Sequence, residues 1–165
     1  MESVLKITAA TKENIKIIRD IAQNVWPQTY AEILTPQQIE YMLDLLYSER
    51  SLTNQIDAGH KFIIAYNLDV PMGFASYSEI EKDIYKLHKL YILSGEQGRG
   101  IGRFLIDHII SEIRSKEAKC LRLNVNRHNK ARSFYEKTGF SIIGSEDIDI
   151  GNGYYMNDYI MERSI

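Results

Sequence analysis

The sequence predicts an α/β domain, a mixed and mostly antiparallel sheet with helices on both faces. Three observations point there. Apolar residues recur at helical spacing in two N-terminal stretches and again after position 100. Short apolar runs bounded by turn residues read as strands on either side of that third helix. The strands are of two kinds: Phe62-Ile63-Ile64-Ala65 is continuously apolar, as in a strand covered on both faces, whereas Leu121, Leu123 and Val125 alternate with polar residues. The predicted order is β-αα-βββ-α-β-α-ββ.

Each element has its own signal. A strand from Val4 to Ala9 precedes Thr11, an N-cap for a helix with Ile15, Ile18, Ile21, Ala22 and Val25 on one face. Thr35-Pro36 restarts a helix with a cap and a proline in its first turn, and Ile39, Met42, Leu43 and Leu46 line one side. The three prolines are all expected at element boundaries. After His60 come the Phe62–Ala65 strand, an Asn67-Leu68-Asp69 turn, a return strand from Met72 to Tyr77, and a third strand from Tyr85 to Leu93. That third strand changes phase: apolar residues sit at Tyr85 and Leu87, then at Leu90 and Ile92. One extra residue between positions 87 and 90, a β-bulge, restores a single buried face. Ile101, Phe104, Leu105, His108, Ile109 and Ile113 mark the stripe of the next helix. Asn129 can cap a short helix ended by Gly139. Two last strands, near 140–146 and 154–162, flank the turn Gly151-Asn152-Gly153.

Composition bounds the function. A chain of 165 residues with 44% apolar and 25% charged residues suits one globular domain, residues 1–165. The net charge of −2 argues against a nucleic-acid binder that relies on a basic surface. No apolar run approaches the roughly 18 residues of a membrane span, and the N-terminus lacks a signal-peptide pattern. Cys120 is the single cysteine, which fits a reducing, cytoplasmic setting.

The segment Gln97-Gly98-Arg99-Gly100-Ile101-Gly102-Arg103 carries the chemistry. Glycines let backbone amides approach a ligand, and the following helix leaves its first N–H groups unpaired. Together they make an anion site best suited to phosphate, with Arg99 and Arg103 adding charge. A Walker loop needs Gly-Lys-Ser/Thr, but Arg103 follows Gly102. A dinucleotide fingerprint needs a glycine at position 103. Neither fits. The plainer alternative is a glycine turn before a core helix.

The segment resembles the pyrophosphate signature of the GNAT acetyltransferase superfamily, (Gln/Arg)-x-x-Gly-x-(Gly/Ala). Leu87-His88-Lys89-Leu90-Tyr91-Ile92 is similar to that family's fourth strand, and Asn129-Lys130-Ala131-Arg132-Ser133-Phe134-Tyr135-Glu136-Lys137-Thr138-Gly139-Phe140 to its later helix motif. Trp26-Pro27-Gln28-Thr29-Tyr30 and Asp158-Tyr159-Ile160-Met161 loosely resemble a bacterial branch that includes polyamine acetyltransferases. The resemblance implies a sheet splayed between strands 4 and 5 and acetyl-CoA as cosubstrate. The backbone of Leu90 and Ile92 would hold the pantetheine arm, and amides from Gly98 to Arg103 the pyrophosphate. Gln97 belongs to the same cofactor-binding signature. Asn129 would reach the cofactor from the far side, and Tyr135 would lie near its sulfur. Family analogy also allows a homodimer through the last strands.

Acetyl transfer to an amine needs a proton acceptor, donors for the tetrahedral oxygen, and a proton for the departing thiolate. Tyr135 is the candidate acid; its plain alternative is packing beside Phe134. His88, in the bulge strand, is the candidate base, with Glu79 or water as rivals. Trp26 and Tyr30, with Tyr41, are candidates to hold a cationic acceptor by their ring faces, or else they are core. His60, His108 and His128 lack metal-ligand spacing, so no metal is expected, and Cys120 reads as inert packing. The main reading is an acetyl-CoA-dependent N-acetyltransferase acting on a small-molecule amine such as a polyamine. The rivals are a protein or peptide N-acetyltransferase and a non-catalytic acyl-CoA sensor.

Overall fold

The computed structural model describes residues 4–165. Seven strands form one sheet: β1 (Leu5–Ala10), β2 (Lys61–Asn67), β3 (Val70–Glu81), β4 (Ile84–Ile92), β5 (Cys120–Asn126), β6 (Ser141–Gly151) and β7 (Tyr154–Ser164). Their spatial order is β1-β2-β3-β4-β5-β7-β6. β4 and β5 run parallel, and every other neighbouring pair is antiparallel.

The helices divide between the two faces. α1 (Ile15–Thr29), α2 (Pro36–Tyr47) and α3 (Glu49–Asp57) cover one, and α4 (Ile101–Arg114) and α5 (Ala131–Lys137) the other. β2 serves both cores by alternation: Phe62 and Ile64 pack with α1–α3, whereas Ile63 and Ala65 pack with α4. The continuous apolar run therefore has the expected cause.

Several expectations change in detail. Thr11 does cap, accepting from the Glu13 N–H at 3.3 Å, but it opens a 3₁₀ turn over Lys12–Asn14 before α1 begins. Pro27 lies inside α1, whose end at Thr29 limits the ladder lost. α3 is absent from the predicted element order. Ser48 caps it, accepting from Ser51 N–H at 3.1 Å, but Leu52 is its one fully buried residue, so it shows no apolar stripe. On α4, Phe104 is exposed and His108 half-buried. Ile106 and Ile110 take their places beside Ile101, Leu105, Ile109 and Ile113. Each such side chain contributes about 1.5–3 kcal/mol by burial.

The bulge in β4 lies where the phase change predicts it. Leu87 pairs with Tyr77 and Lys89 with Ser76, so His88 has no partner across the ladder. Leu87 stays in the α4 core, Leu90 and Ile92 pack against that same core, and Tyr91 turns to the α1–α3 side.

Candidate active site

β4 meets β5 only from Ile84 to Leu87, opposite Cys120 to Leu123. The pairing stops one residue before the bulge. Beyond it the strands part, and a cavity of about 1250 Å³ occupies the gap and continues under α1 and α2. Just past the end of β4, Leu93 N–H donates to Met72 C=O of β3 at 2.8 Å. Antiparallel alternation then directs the peptide groups of Leu90 and Ile92 to the opposite edge, the one β5 has left. The Gln97 side chain donates to Ile92 C=O at 3.4 Å, so that carbonyl is engaged while Leu90 is open to the gap.

The glycine loop closes one end. Gly98 and Gly100 have φ of +83° and +79°, and a Cβ at either would meet nothing within 4 Å. Their role is therefore backbone conformation rather than space. Gly100 caps α4, and its carbonyl accepts from Phe104 N–H at 3.0 Å. Among the described residues, no backbone carbonyl takes the N–H groups of residues 98–103. Gly102 is different: a Cβ there would come to 3.0 Å from the Phe134 ring. Gln97, Gly98, Gly100, Ile101, Gly102 and Arg103 line the cavity. Arg99 does not; it is exposed and bridges Glu96 at 3.0 Å. The cradle fits a phosphate group by unpaired donors and helix polarity.

Five side chains converge at the middle. Tyr135 on α5 is 8% exposed and lines the cavity. Burial foremost, then Tyr30, raises its pKa well above that of a free phenol, so it holds its proton throughout the neutral range. Tyr30 and Tyr91 share a hydrogen bond of 2.9 Å between hydroxyls. Asp158 on β7 is 3% exposed, and burial raises its pKa. It accepts from the Asn124 amide at 3.3 Å and lies near enough to Tyr30 to disfavour the phenolate. Asn129 does not cap α5, whose N-cap is Lys130, but it stands just ahead of it and its side chain accepts from Ala131 N–H at 2.9 Å.

Trp26 and Tyr30 are both core residues and cavity wall, with ring centroids 4.6 Å apart. Tyr41 does not join them; its hydroxyl donates to Ile150 C=O at 2.7 Å and its ring meets Tyr154. Tyr47 and Tyr91 complete the cluster instead, at 5.7 Å from Trp26. His88 projects to the same side. It shares a 2.7 Å hydrogen bond with Ser78 Oγ and stacks on His60 at 4.1 Å. Burial, then His60, Lys86 and Lys89, lowers its pKa to about 3. It is neutral at physiological pH but a weak proton acceptor. Glu79 is exposed and outside the cavity wall, its carboxylate accepting from Asp83 N–H at 3.4 Å.

Comparison with known proteins decides the family. A family model described as an acetyltransferase (GNAT) domain matches residues 30–161. The chain belongs to the GNAT acetyltransferase family. It is thereby an N-acetyltransferase, as its relatives are. A spermidine N(1)-acetyltransferase of Thermoplasma acidophilum is 27% identical, with 96% of each chain covered. An alanine N-acetyltransferase of ribosomal protein bS18 from Haemophilus influenzae is 34% identical over 51% of this chain and 53% of its own. Among solved structures, the PaiA N-acetyltransferase of Thermoplasma acidophilum in complex with coenzyme A is 27% identical. It superposes with a TM-score of 0.84 over 98% of this chain and 99% of that one.

Two residues of this GNAT site escaped the sequence reading. Asp158 was visible only as part of a loosely similar ending; a buried acid on a strand gives no periodic signal apart from its neighbours. Lys89 was read only as part of the β4 motif. The bulge is what turns it inward, to 8% exposure, with its ammonium 4.9 Å from the Tyr47 ring centroid. No group of three or more His, Cys, Asp or Glu side chains able to hold a metal occurs among the described residues. No helix among them is long and apolar enough to cross a membrane.

Proposed function

We propose that this protein moves the acetyl group of acetyl-CoA to the primary amine of a small molecule by direct attack in a ternary complex. One observation carries the reading. A single cavity joins the phosphate cradle of α4 to an aromatic wall on the α1–α3 side, with a protonated, buried Tyr135 between them. The coenzyme A bound by the Thermoplasma neighbour supports the same use of the cradle here.

In this reading, amides of residues 98–103 and Arg103 hold the pyrophosphate, and the β4 edge at Leu90 and Ile92 lies along the pantetheine arm. Gln97 steadies the Ile92 end, and Asn129 borders the arm from just ahead of α5. Arg99 takes part only if it leaves Glu96. The acceptor enters past Trp26 and Tyr30, and Asp158 rather than His88 draws the proton from its ammonium. The neutral nitrogen attacks the thioester carbonyl, forming a C–N bond as the C–S bond breaks. Tyr135 gives its phenolic proton to the leaving sulfur, and the second proton that the nitrogen sheds in becoming an amide returns through water to the phenolate. A buried aromatic wall favours a compact acceptor over a folded protein surface.

The test is CoA release with a panel of amines, amino acids and short peptides, on wild type and Tyr135→Phe. A small amine should be acetylated, and the Phe variant should bind CoA normally while kcat falls roughly 10²-fold or more. Turnover with peptides alone would move the reading to protein acetylation. CoA binding without turnover on any acceptor would favour a sensor.

A further inference from the structure

The acceptor side of the cavity already contains a cation. Lys89 follows the bulge on β4 and is 8% exposed, yet it lines the cavity. Its ammonium lies 4.9 Å from the Tyr47 ring centroid, and among the described residues it makes no hydrogen bond or ion pair. One ring of the aromatic cluster, that of Tyr47 beside Trp26, thus already faces a cation of the chain itself.

The neighbours are basic or neutral. Lys86 and His60 line the same wall, and His60 Nδ1 is buried with no partner among the described residues. Ser76, opposite Lys89 in the β3–β4 ladder, is fully buried with an unpartnered hydroxyl. Burial first and Lys86 second lower the Lys89 pKa to about 8, and no carboxylate opposes them. At neutral pH the group is still mainly an ammonium. No carboxylate of the cavity wall faces Lys89: Glu96 bridges Arg99, Glu32 stands on the exposed loop after α1, and Asp158, which accepts from Asn124, feels the charge of Lys86 instead.

A buried cation without a counterion is costly, and a ring face offsets only part of that cost. A ligand that supplies the missing anion would offset the rest. We propose that Lys89, with Lys86 and His60 beside it, forms an anion subsite, so that the acceptor is an amine carrying a carboxylate or phosphate. The proposal rests on the acetyltransferase reading and narrows its acceptor class. It sets the chain apart from its spermidine-acetylating relative, because a polyamine would bring further positive charge to Lys89.

The test uses 4-aminobutyrate and O-phosphoethanolamine against butylamine and putrescine. Binding to the CoA-saturated protein is measured by titration calorimetry, and CoA release is followed in parallel. One or both acidic amines should bind about tenfold or more tighter than the two without an acid, a difference of about 1.4 kcal/mol. Whichever binds tighter separates a carboxylate site from a phosphate site. Lys89→Met, an apolar residue of similar length, should abolish the preference while CoA affinity is kept, and Lys89→Arg should retain it. Equal or tighter binding of putrescine overturns the subsite, as does a preference that survives Lys89→Met or the binding of no amine at all. A Lys89→Met enzyme that binds all four normally but slows on each equally, losing a pH limb near 8, makes Lys89 a proton acceptor and also overturns it. Preference without turnover leaves the subsite standing and removes the acetyl-transfer reading. Turnover without preference does the reverse.

Discussion

Asp158 and His88 illustrate how burial changes the proton affinity that residue type alone suggests. Histidine titrates nearest neutrality in the unfolded chain, so it is the natural base to expect from sequence. Inside this fold His88 sits among Lys86, Lys89 and His60, and its affinity for protons collapses. Asp158 moves the other way, because burial disfavours its anion. A carboxylate of raised pKa loses its charge at higher pH than an ordinary one, so activity should fall on acidification through that raised value. Asp158→Asn should lower kcat/KM for the amine by roughly tenfold or more at neutral pH and remove that acidic limb. CoA affinity should be unchanged. A variant with the wild-type pH profile would exclude Asp158 from proton transfer. Tyr135 was legible as a candidate because its neighbours form a motif. Asp158 and Lys89 were not, since their meaning comes from strands brought together across the gap.

At the level of elements, the readable features were those with local causes. The bulge in β4 followed from a phase change within one strand, and the cradle followed from glycines preceding an amphipathic helix. α3 was missed because Glu49–Asp57 buries only Leu52 completely and so carries no stripe. The α4 stripe was misplaced by one position along the helix surface, since Phe104 at the exposed start of the helix counts as apolar wherever it points. The loop gives a separable prediction. Gly100→Ala adds a Cβ that touches nothing, so its cost is confined to the backbone at φ +79°, about 1–2 kcal/mol for a left-handed residue. If the strain is relieved by reshaping the loop, the amides of residues 98–103 no longer converge, and CoA affinity falls while the α4 core stays intact. Urea unfolding and CoA titration on the same variant separate the two effects. A stability loss with unaltered CoA affinity would mean that the loop keeps its shape under strain, whereas an affinity loss without a stability loss would mean that it has reshaped.

Over the whole molecule, the cavity proposed to serve the reaction is also a liability in acid. His88 is held at a pKa of about 3, against 6.5 for the free side chain, and His60 is lowered as well, by burial and the same lysines. Between those values the unfolded chain binds protons that the native state refuses, so stability must fall as pH drops from 6.5 towards 3. The contribution is fully present above pH 6.5. Paired carboxylates elsewhere also weaken the fold in acid, so the informative quantity is the difference between wild type and a variant without the imidazole. His88→Gln keeps a polar group within reach of Ser78 and cannot titrate. Its urea midpoint should decline less steeply than wild type across that window, and the two curves should run parallel above pH 7. The lysines supply the cause of the depression, so Lys89→Met should also lessen the acid sensitivity by letting the His60–His88 pair take up a proton more readily. If both variants track wild type from pH 7 to pH 4, the stacked histidines are protonated without cost, and the basic wall of the cavity is more solvated than its burial implies.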